Sequence, residues 1–477
     1  MKKLLFINGR WKEGSGYRTL HAPYSGEPIA EVAIAGGPEA EEAIRSACEA
    51  EEAMRELPAH RRAAILRQVS DDLQNNLEEA AVLIAREAGK PLRTARAEVQ
   101  RAIQTYAFAA EEAKRINGHT ISMDAVPEGE GRSAYTLHEP VGTVAAITPF
   151  NFPMNLVAHK IGPAIAAGNP VVLKPSELTP LSALYVAELF DRAGLPKGAL
   201  NVINGPGELA ERLVTDDRIK LVTFTGSAAV GKLICSKAGL KKVVLELGSN
   251  AALIIDRGVN PVPVAERCVP AAFSYQGQVC ISLQRVYVHE SLIDRFLAEL
   301  IRRTRMLKPG DPTDPATDIS AMISPRETCR VLEWIEEAKR HGAIVHAGGE
   351  ARDGVLMPTI LTGVRPDMKL SCEEAFGPVL IVHAFRTLEE AIAEVNDSKY
   401  GLQAGVFTRN VETVSTCVRK LRVGGVIVND VPTFRVDHMP YGGVKQSGLG
   451  REGVKYAIEE MSVMKLVVQN HSVEHAL

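Results

Sequence analysis

The chain has 477 residues, 45% of them apolar and 24% charged, with a net charge of −3. That length exceeds one small core and points to two or three domains. The charge balance gives no electrostatic case for nucleic acid or an anionic membrane, and no apolar run is long enough to span a bilayer.

The opening MKKLLFINGRW stops its apolar run at Asn8-Gly9, so it reads as a strand and a turn rather than a secretory leader. A reducing, cytoplasmic setting follows as an expectation. Seven scattered cysteines, with no Cys-x-x-Cys pair and no Cys/His cluster, argue against a disulfide framework, and no metal site is expected.

Residues 38–57 and 60–89 carry Ala, Glu, Leu and Arg at helical spacing. Gly89-Lys90-Pro91 ends the second helix, and a third starts at Leu92. Together they predict an N-terminal helical layer. SAYTLHEP is a strand behind the turn-rich AVPEGEG.

From 141 onward, TVAAIT, PVVLKPS, LNVING, LVTFTGS and KVVLELG alternate with four helical segments. Five near-continuous apolar strands with crossovers predict an α/β fold, a doubly wound parallel sheet whose ligands sit at the C-terminal strand ends. A second α/β segment follows, containing RVYVHE, LIDRFLAELIRRTRML, AIVHAGG and VLIVHAF. SVMKLVVQN is a late strand. The strands near 133–139 and 463–469 fit neither sheet, and pairing between subunits would satisfy their edges.

FTGSAAVGK (224–232) is a strand entering a helix through Gly226 and Ser227. The helix N-terminus suits a phosphate, but a turn merely capped by Ser227 reads equally well. GPG at 205–207 and GGVKQSG match nucleotide motifs only in part. KPSE (174–177) could bracket a ribose, or simply be a solvated strand end; a carboxylate at Glu177 would repel a 2′-phosphate and favour NAD over NADP. LELGSN puts Glu246 at an apolar strand end, where burial would raise its pKa and make a base, unless backbone amides satisfy it. Cys280, in FSYQGQVCIS, is either an inert thiol or a nucleophile, its thiolate favoured by amides at a helix N-terminus. Asn151, in ITPFNFP, could donate to an oxyanion.

The ordered set ITPFNFP, KPSE, FTGS, LELG, GQVCIS, EEAFGPV and PYGGVKQSGLGRE resembles the aldehyde dehydrogenase superfamily across nearly the whole chain. The resemblance implies a dinucleotide-binding domain (1–120 and 141–247), a catalytic domain (248–448) and a small β oligomerisation element (121–140 and 449–477). It implies Cys280 as nucleophile, Glu246 as base, and Asn151 with the Cys280 amide as oxyanion hole. Lys160 and Glu452 would relay protons or order the site. Around the cofactor it places Ile147, Thr148, Pro149, Phe150, Lys174, Ser176, Glu177, Gly207, Phe224, Gly226, Ser227, Gly231, Leu247, Gly248, Glu374 and Phe376. NAD is the expected cofactor, with NADP possible.

The implied reaction oxidises an aldehyde to the acid through a cysteine thiohemiacetal and thioester. Glu246 favours hydrolysis over transfer to CoA, because CoA-acylating members commonly lack that glutamate. Ser249 stands where many members have Gly. Asn155, His159, Thr433, Arg435 and Tyr441 align with the substrate funnel. Arg435 could bind an anionic group, or pair with Asp437 or another local acid instead, and small polar or anionic aldehydes are expected. The alternatives are a CoA-acylating enzyme, a silent binding protein on the same fold, and a cofactor-free cysteine hydrolase needing a histidine partner. A homodimer or homotetramer is expected, without nucleic acid or membrane.

Overall fold

The five apolar runs form the middle of an eight-stranded sheet. They are β1 (Val144–Ile147), β2 (Val171–Lys174), β3 (Leu200–Val202), β4 (Leu221–Thr225) and β5 (Lys242–Glu246). A computed structural model of the chain describes residues 2–471. Across the sheet the parallel strands run β5, β4, β1, β2, β3. Antiparallel Gly448–Leu449 closes the β5 edge, and the hairpin of Leu5–Ile7 and Arg10–Lys12 closes the β3 edge. Strand order reverses beside β1, so the crevice between the C-terminal ends of β1 and β4 is the topological switch point.

The strands read as continuous apolar runs because both faces are covered. On one face, α1 (Leu92–Glu112) packs on α2 (Asn155–Ala167), which is buried along its whole length. The crossovers α3 (Pro180–Arg192), α4 (Gly207–Thr215) and α5 (Ala228–Lys237) complete the layers.

A second, seven-stranded sheet follows. Its centre holds β6 (Ala252–Ile255), β7 (Arg285–His289), β8 (Val379–Phe385) and β9 (Gln403–Phe407), all parallel. Helix α6 (Pro261–Phe273) packs on it and leads into the loop bearing Cys280.

Arg132–Pro140 and Ser462–Asn470 pair with each other, antiparallel and residue for residue, and Thr120–Ile121 adds a third strand. The two strands that the sequence left without a partner are thus each other's partner inside one chain. Ser462–Asn470 remains an outer strand and exposes Val463, Met464, Leu466 and Val468. Of the expected oligomerisation segment 449–477, Leu449 sits on the large sheet and 472–477 lie outside the described residues. Among the described residues no helix is long and apolar enough to cross a membrane.

Candidate active site

The approach to Cys280 is strained. Tyr275, Gln276 and Gly277 are consecutively left-handed, with φ of 48°, 53° and 68°. Two such non-glycine residues cost about 1–3 kcal/mol each unless surrounding bonds fix them. Those bonds are present: Tyr275 Oη donates to Ala88 O at 2.9 Å, and Gln276 Nε2 donates to Gly89 O at 3.2 Å and Ala321 O at 2.6 Å. A side chain at 277 would strike the Gly377 carbonyl.

No helix begins at Cys280, so the expected helix-terminal activation of its thiolate is absent. Instead its Sγ lies 3.0 Å from Tyr441 Oη. Burial pushes the thiol up to about 11, opposed by Tyr441 and Arg435 and assisted by the carboxyls of Glu374 and Glu246.

Asn151 follows β1 and reaches the same loop: its Nδ2 donates to Gln278 O at 3.0 Å. Its carbonyl accepts from Lys90 Nζ at 2.6 Å. Lys90 is buried and paired with Glu98, whose other oxygen accepts the Met154 and Asn155 amides at 2.9 and 3.2 Å, where α2 begins. The segment 88–90 therefore holds both the Asn151 turn and the Cys280 loop. Sequence reasoning missed Lys90 and Glu98. A signal existed: Glu98 shares a helical stripe with buried Ala95, Val99 and Ala102, where a carboxylate needs a partner.

Glu246, the last residue of β5, is buried against Gly442, where an added Cβ would come within 3.1 Å of its Oε1. Neither carboxyl oxygen has a hydrogen-bond partner among the described residues. Burial, and next the charge of Glu452, hold this carboxyl well above the usual range, although Arg435 and Lys160 oppose them.

Glu452 behaves oppositely. It accepts from Lys160 Nζ at 3.3 Å and from Arg435 Nη2 at 2.9 Å, and these cations overcome burial to keep it ionised. Lys160 also donates to Thr223 Oγ1 at 3.0 Å.

Arg435, expected on the funnel wall, has a side chain only 5% exposed and stacks 3.6 Å over the Tyr441 ring. Its carboxylate partner is Glu452 rather than Asp437, the acid that the sequence offered as an alternative partner. Asp437 is occupied by Arg101 at 2.7 Å, His159 Nε2 at 2.8 Å and Asn155 Nδ2 at 3.2 Å. Burial, and then Arg435, push His159 below its usual range, so it is neutral. Asn155 and His159 are both buried. A cavity of about 710 Å³ lies beside the Cys280 loop, walled by Arg101, Phe152, Glu266, Arg267, Val279, Ile281 and Thr433 among others; Val279 and Ile281 flank Cys280. Of these the sequence singled out Thr433, and Arg101, Glu266 and Arg267 were not foreseen.

Most of the predicted cofactor residues follow the C-terminal ends of β1, β2, β4 and β5; Gly207 follows β3, and Glu374 and Phe376 precede β8. Lys174 ends β2 with its amine largely buried, and among the described residues its acceptor is the Pro175 carbonyl at 3.4 Å. The hydroxyls of Thr148 and Thr225 are buried with no partner among the described residues. Such unpaired groups at the switch point fit a polyhydroxylated, phosphorylated ligand. Glu177 does not stand alone: Arg18 Nη1 donates to it at 2.9 Å, a contact between distant segments that the sequence did not show. Ser176 Oγ accepts the Leu178 amide at 3.2 Å.

Ser227 caps α5 by accepting the Val230 amide at 3.4 Å. Gly231 lets α5 close on Leu247, because a Cβ there would fall 2.7 Å from that side chain; Gly226 likewise leaves room for the Phe224 ring. Packing therefore accounts for both glycines. Gly207 opens α4 in free space. Glu374 lies against Gly248, accepts the Ser249 amide at 2.8 Å, and is pushed up to about 7 by burial. Phe376 meets Phe150 edge-on at 5.9 Å, joining the 374–376 segment to the turn Ile147, Thr148, Pro149, Phe150.

The model of the aldehyde dehydrogenase family matches residues 11–467. The chain belongs to the aldehyde dehydrogenase family. It is 46% identical over 467 residues to a 3-sulfolactaldehyde dehydrogenase of Priestia aryabhattai, covering 98% of each chain. A solved aldehyde dehydrogenase from Physcomitrella patens, in complex with the reaction product succinate, superposes with a TM-score of 0.96 at 38% identity, covering 99% of each chain. A glyceraldehyde-3-phosphate dehydrogenase from Methanocaldococcus jannaschii complexed with NADP superposes with a TM-score of 0.92 at 38% identity, covering 96% of this chain and 100% of that one. This aldehyde dehydrogenase is an NAD(P)-dependent oxidoreductase.

Its buried Lys90–Glu98 pair carries a stability test. Removing one partner of a buried pair costs about 3–5 kcal/mol, so Lys90→Met should lose that much by urea unfolding. A loss under about 1 kcal/mol, the range of an exposed pair, would show that the pair does not hold the two arms.

Proposed function

We propose that this enzyme oxidises a small anionic aldehyde to the free carboxylic acid, with Cys280 as nucleophile and Glu246 as the base of hydrolysis. The observation that carries it is Arg101, which lies on the wall of the cavity beside the Cys280 loop with its side chain 27% exposed and only part of its guanidinium engaged by Asp437.

Arg101 is the anchor in this reading. It spends Nε and Nη2 on Asp437, leaving Nη1 to a sulfonate, phosphate or carboxylate on the substrate. The Priestia relative's substrate, a sulfonated three-carbon aldehyde, has this chemistry. Arg435, engaged with Glu452, supports the charge from behind.

The steps follow from the side chains. Cys280 thiolate attacks the carbonyl carbon, an S–C bond forms, and the oxygen becomes anionic. The second Asn151 amide hydrogen and the Cys280 backbone amide receive it. Lys174, Glu177 and the 226–227 turn would hold NAD(P), which would accept the hydride that leaves carbon as the oxyanion collapses to the thioester carbonyl. Glu246 then takes a proton from water, the water oxygen attacks the thioester carbon, and Cys280 leaves as thiolate. The two unpaired oxygens of Glu246 suit a group whose partner is a water of reaction.

Glu177 supports a preference for NAD. Arg18 beside it offers a counter-cation to a 2′-phosphate and keeps NADP usable. The apolar outer strand Ser462–Asn470 supports a homodimer or homotetramer, to be read by light scattering; a monomer would end that reading. The free cysteines support a cytoplasmic setting, tested by cell fractionation; recovery with membranes or outside the cell would contradict it.

Steady-state assays with 3-sulfolactaldehyde, glyceraldehyde 3-phosphate, lactaldehyde and propanal, with each dinucleotide, test substrate and cofactor together. The anionic aldehydes should lead in kcat/KM and lose roughly tenfold of that lead in Arg101→Met, the value of one charge-assisted contact. An unchanged anionic-to-neutral ratio in the variant would refute Arg101 as anchor, and a higher kcat/KM with NADP would refute the cofactor preference.

Acid pH should slow deacylation as Glu246 takes up a proton, so the acid limb of kcat lies well above pH 4.5. The groups facing Glu246 are Glu452, Arg435, Lys160 and Arg451. Glu452→Gln removes the repulsion and should move the limb down by roughly one unit. A limb that stays in place would exclude Glu452 as the source of the shift.

A further inference from the structure

Tyr441 does more than line a pocket. Its ring is buried among Ile281 and Leu402, with Val279, Cys280 and Met439 around it, and its hydroxyl is 3.0 Å from Cys280 Sγ. Three contacts fix that hydroxyl. Tyr441 and Glu452 exchange backbone hydrogen bonds at 3.0 and 2.7 Å. Glu452 accepts from Arg435 at 2.9 Å, and the Arg435 guanidinium lies 3.6 Å over the Tyr441 ring. The chain of contacts closes on itself, so the ring cannot swing away without losing its stack on an arginine that a buried ion pair holds in place.

We propose that Tyr441 is a catalytic residue whose hydroxyl donates a hydrogen bond to the Cys280 thiolate, and that Arg435 is a positioning residue that holds Tyr441 in this role. The proposal rests on Cys280 being the nucleophile. With a neutral thiol, either atom can donate. Once sulfur is ionised it can only accept, and Tyr441 is the donor in place. The bond is charge-assisted in the thiolate and weak in the thioester, whose sulfur carries no charge. It therefore favours the thiolate both as attacking group and as leaving group in hydrolysis. Tyr441 keeps its proton throughout, so no proton or electron is transferred through it. Arg435 favours the same state twice, by its charge near the sulfur and by its stack on the phenol.

The test reads the thiol itself and needs neither aldehyde nor dinucleotide. The rate of iodoacetamide alkylation at Cys280 is followed by peptide mass spectrometry from pH 7 to about pH 12, a range that brackets the raised thiol. The charged and titratable groups facing Cys280 are Tyr441, Arg435, Glu374 and Glu246; all but the first are unchanged in Tyr441→Phe. Loss of the donor should move the alkylation midpoint to higher pH and slow labelling at pH 7.5 roughly tenfold. The kcat for an aldehyde should fall while KM stays put. Arg435→Met should shift the midpoint the same way, and Arg435→Lys should restore part of it. Those variants carry the test if Tyr441→Phe does not fold. A wild-type midpoint in Tyr441→Phe, with a raised KM, would overturn the proposal and leave Tyr441 a wall residue. So would a wild-type midpoint in Arg435→Met for the positioning role. An enzyme still active as Cys280→Ala would instead refute the nucleophile, which separates the two failures.

Discussion

Glu452 is a buried carboxylate that keeps its charge, and the active site is arranged around that fact. Lys160, from a helix on the dinucleotide-binding sheet, and Arg435, from the loop after the second sheet, both spend their charge on it. A lone buried anion would be costly; two cations at 2.9 and 3.3 Å make it tolerable and join the two sheets across the cleft. Burial, and next this negative charge, act on Glu246, which has no hydrogen-bond partner among the described residues. One carboxyl is kept ionised, and its neighbour is pushed towards the neutral state. Environments that separate two carboxyls in this way divide roles between them.

Rigidity comes from the other side. The segment Ala88–Gly89–Lys90 accepts the Tyr275 hydroxyl and the Gln276 amide through its carbonyls, and Lys90 donates to the Asn151 carbonyl. The left-handed run at 275–277 persists because those bonds over-determine it. Cys280 and Asn151 are therefore set by one shared support. The Asn151 amide and the Cys280 sulfur keep their relative placement without the loop having to find it.

The architecture was largely legible in the sequence. Five apolar runs separated by amphipathic helices admit few arrangements once crossovers are right-handed, and β1 to β5 lie where those runs predict. The identities of Cys280, Glu246 and Asn151 were legible as chemistry, because each is a reactive type in a turn or strand-end context. Their partners were not. Glu98 precedes Asn151 by 53 positions and Glu452 follows Glu246 by 206, and nothing local announces either neighbour. Arg435 shows the limit well: the sequence offered Asp437 two residues away, and the fold gave the arginine to Glu452. Likewise the strands at 132–140 and 462–470 looked partnerless only because each is the other's partner across more than 300 residues.

The most direct test of this account is the protonation state of Glu246 in the resting enzyme. Isotope-edited infrared difference spectra between the wild type and Glu246→Gln, recorded across pH, isolate its carboxyl stretch. Repulsion from Glu452 and burial predict a protonated-acid band that persists at pH values well above an ordinary glutamate's titration and shrinks in Glu452→Gln. A carboxylate band alone, already present at pH 5 and unchanged in that variant, would contradict it, since an unperturbed glutamate titrates near 4.3.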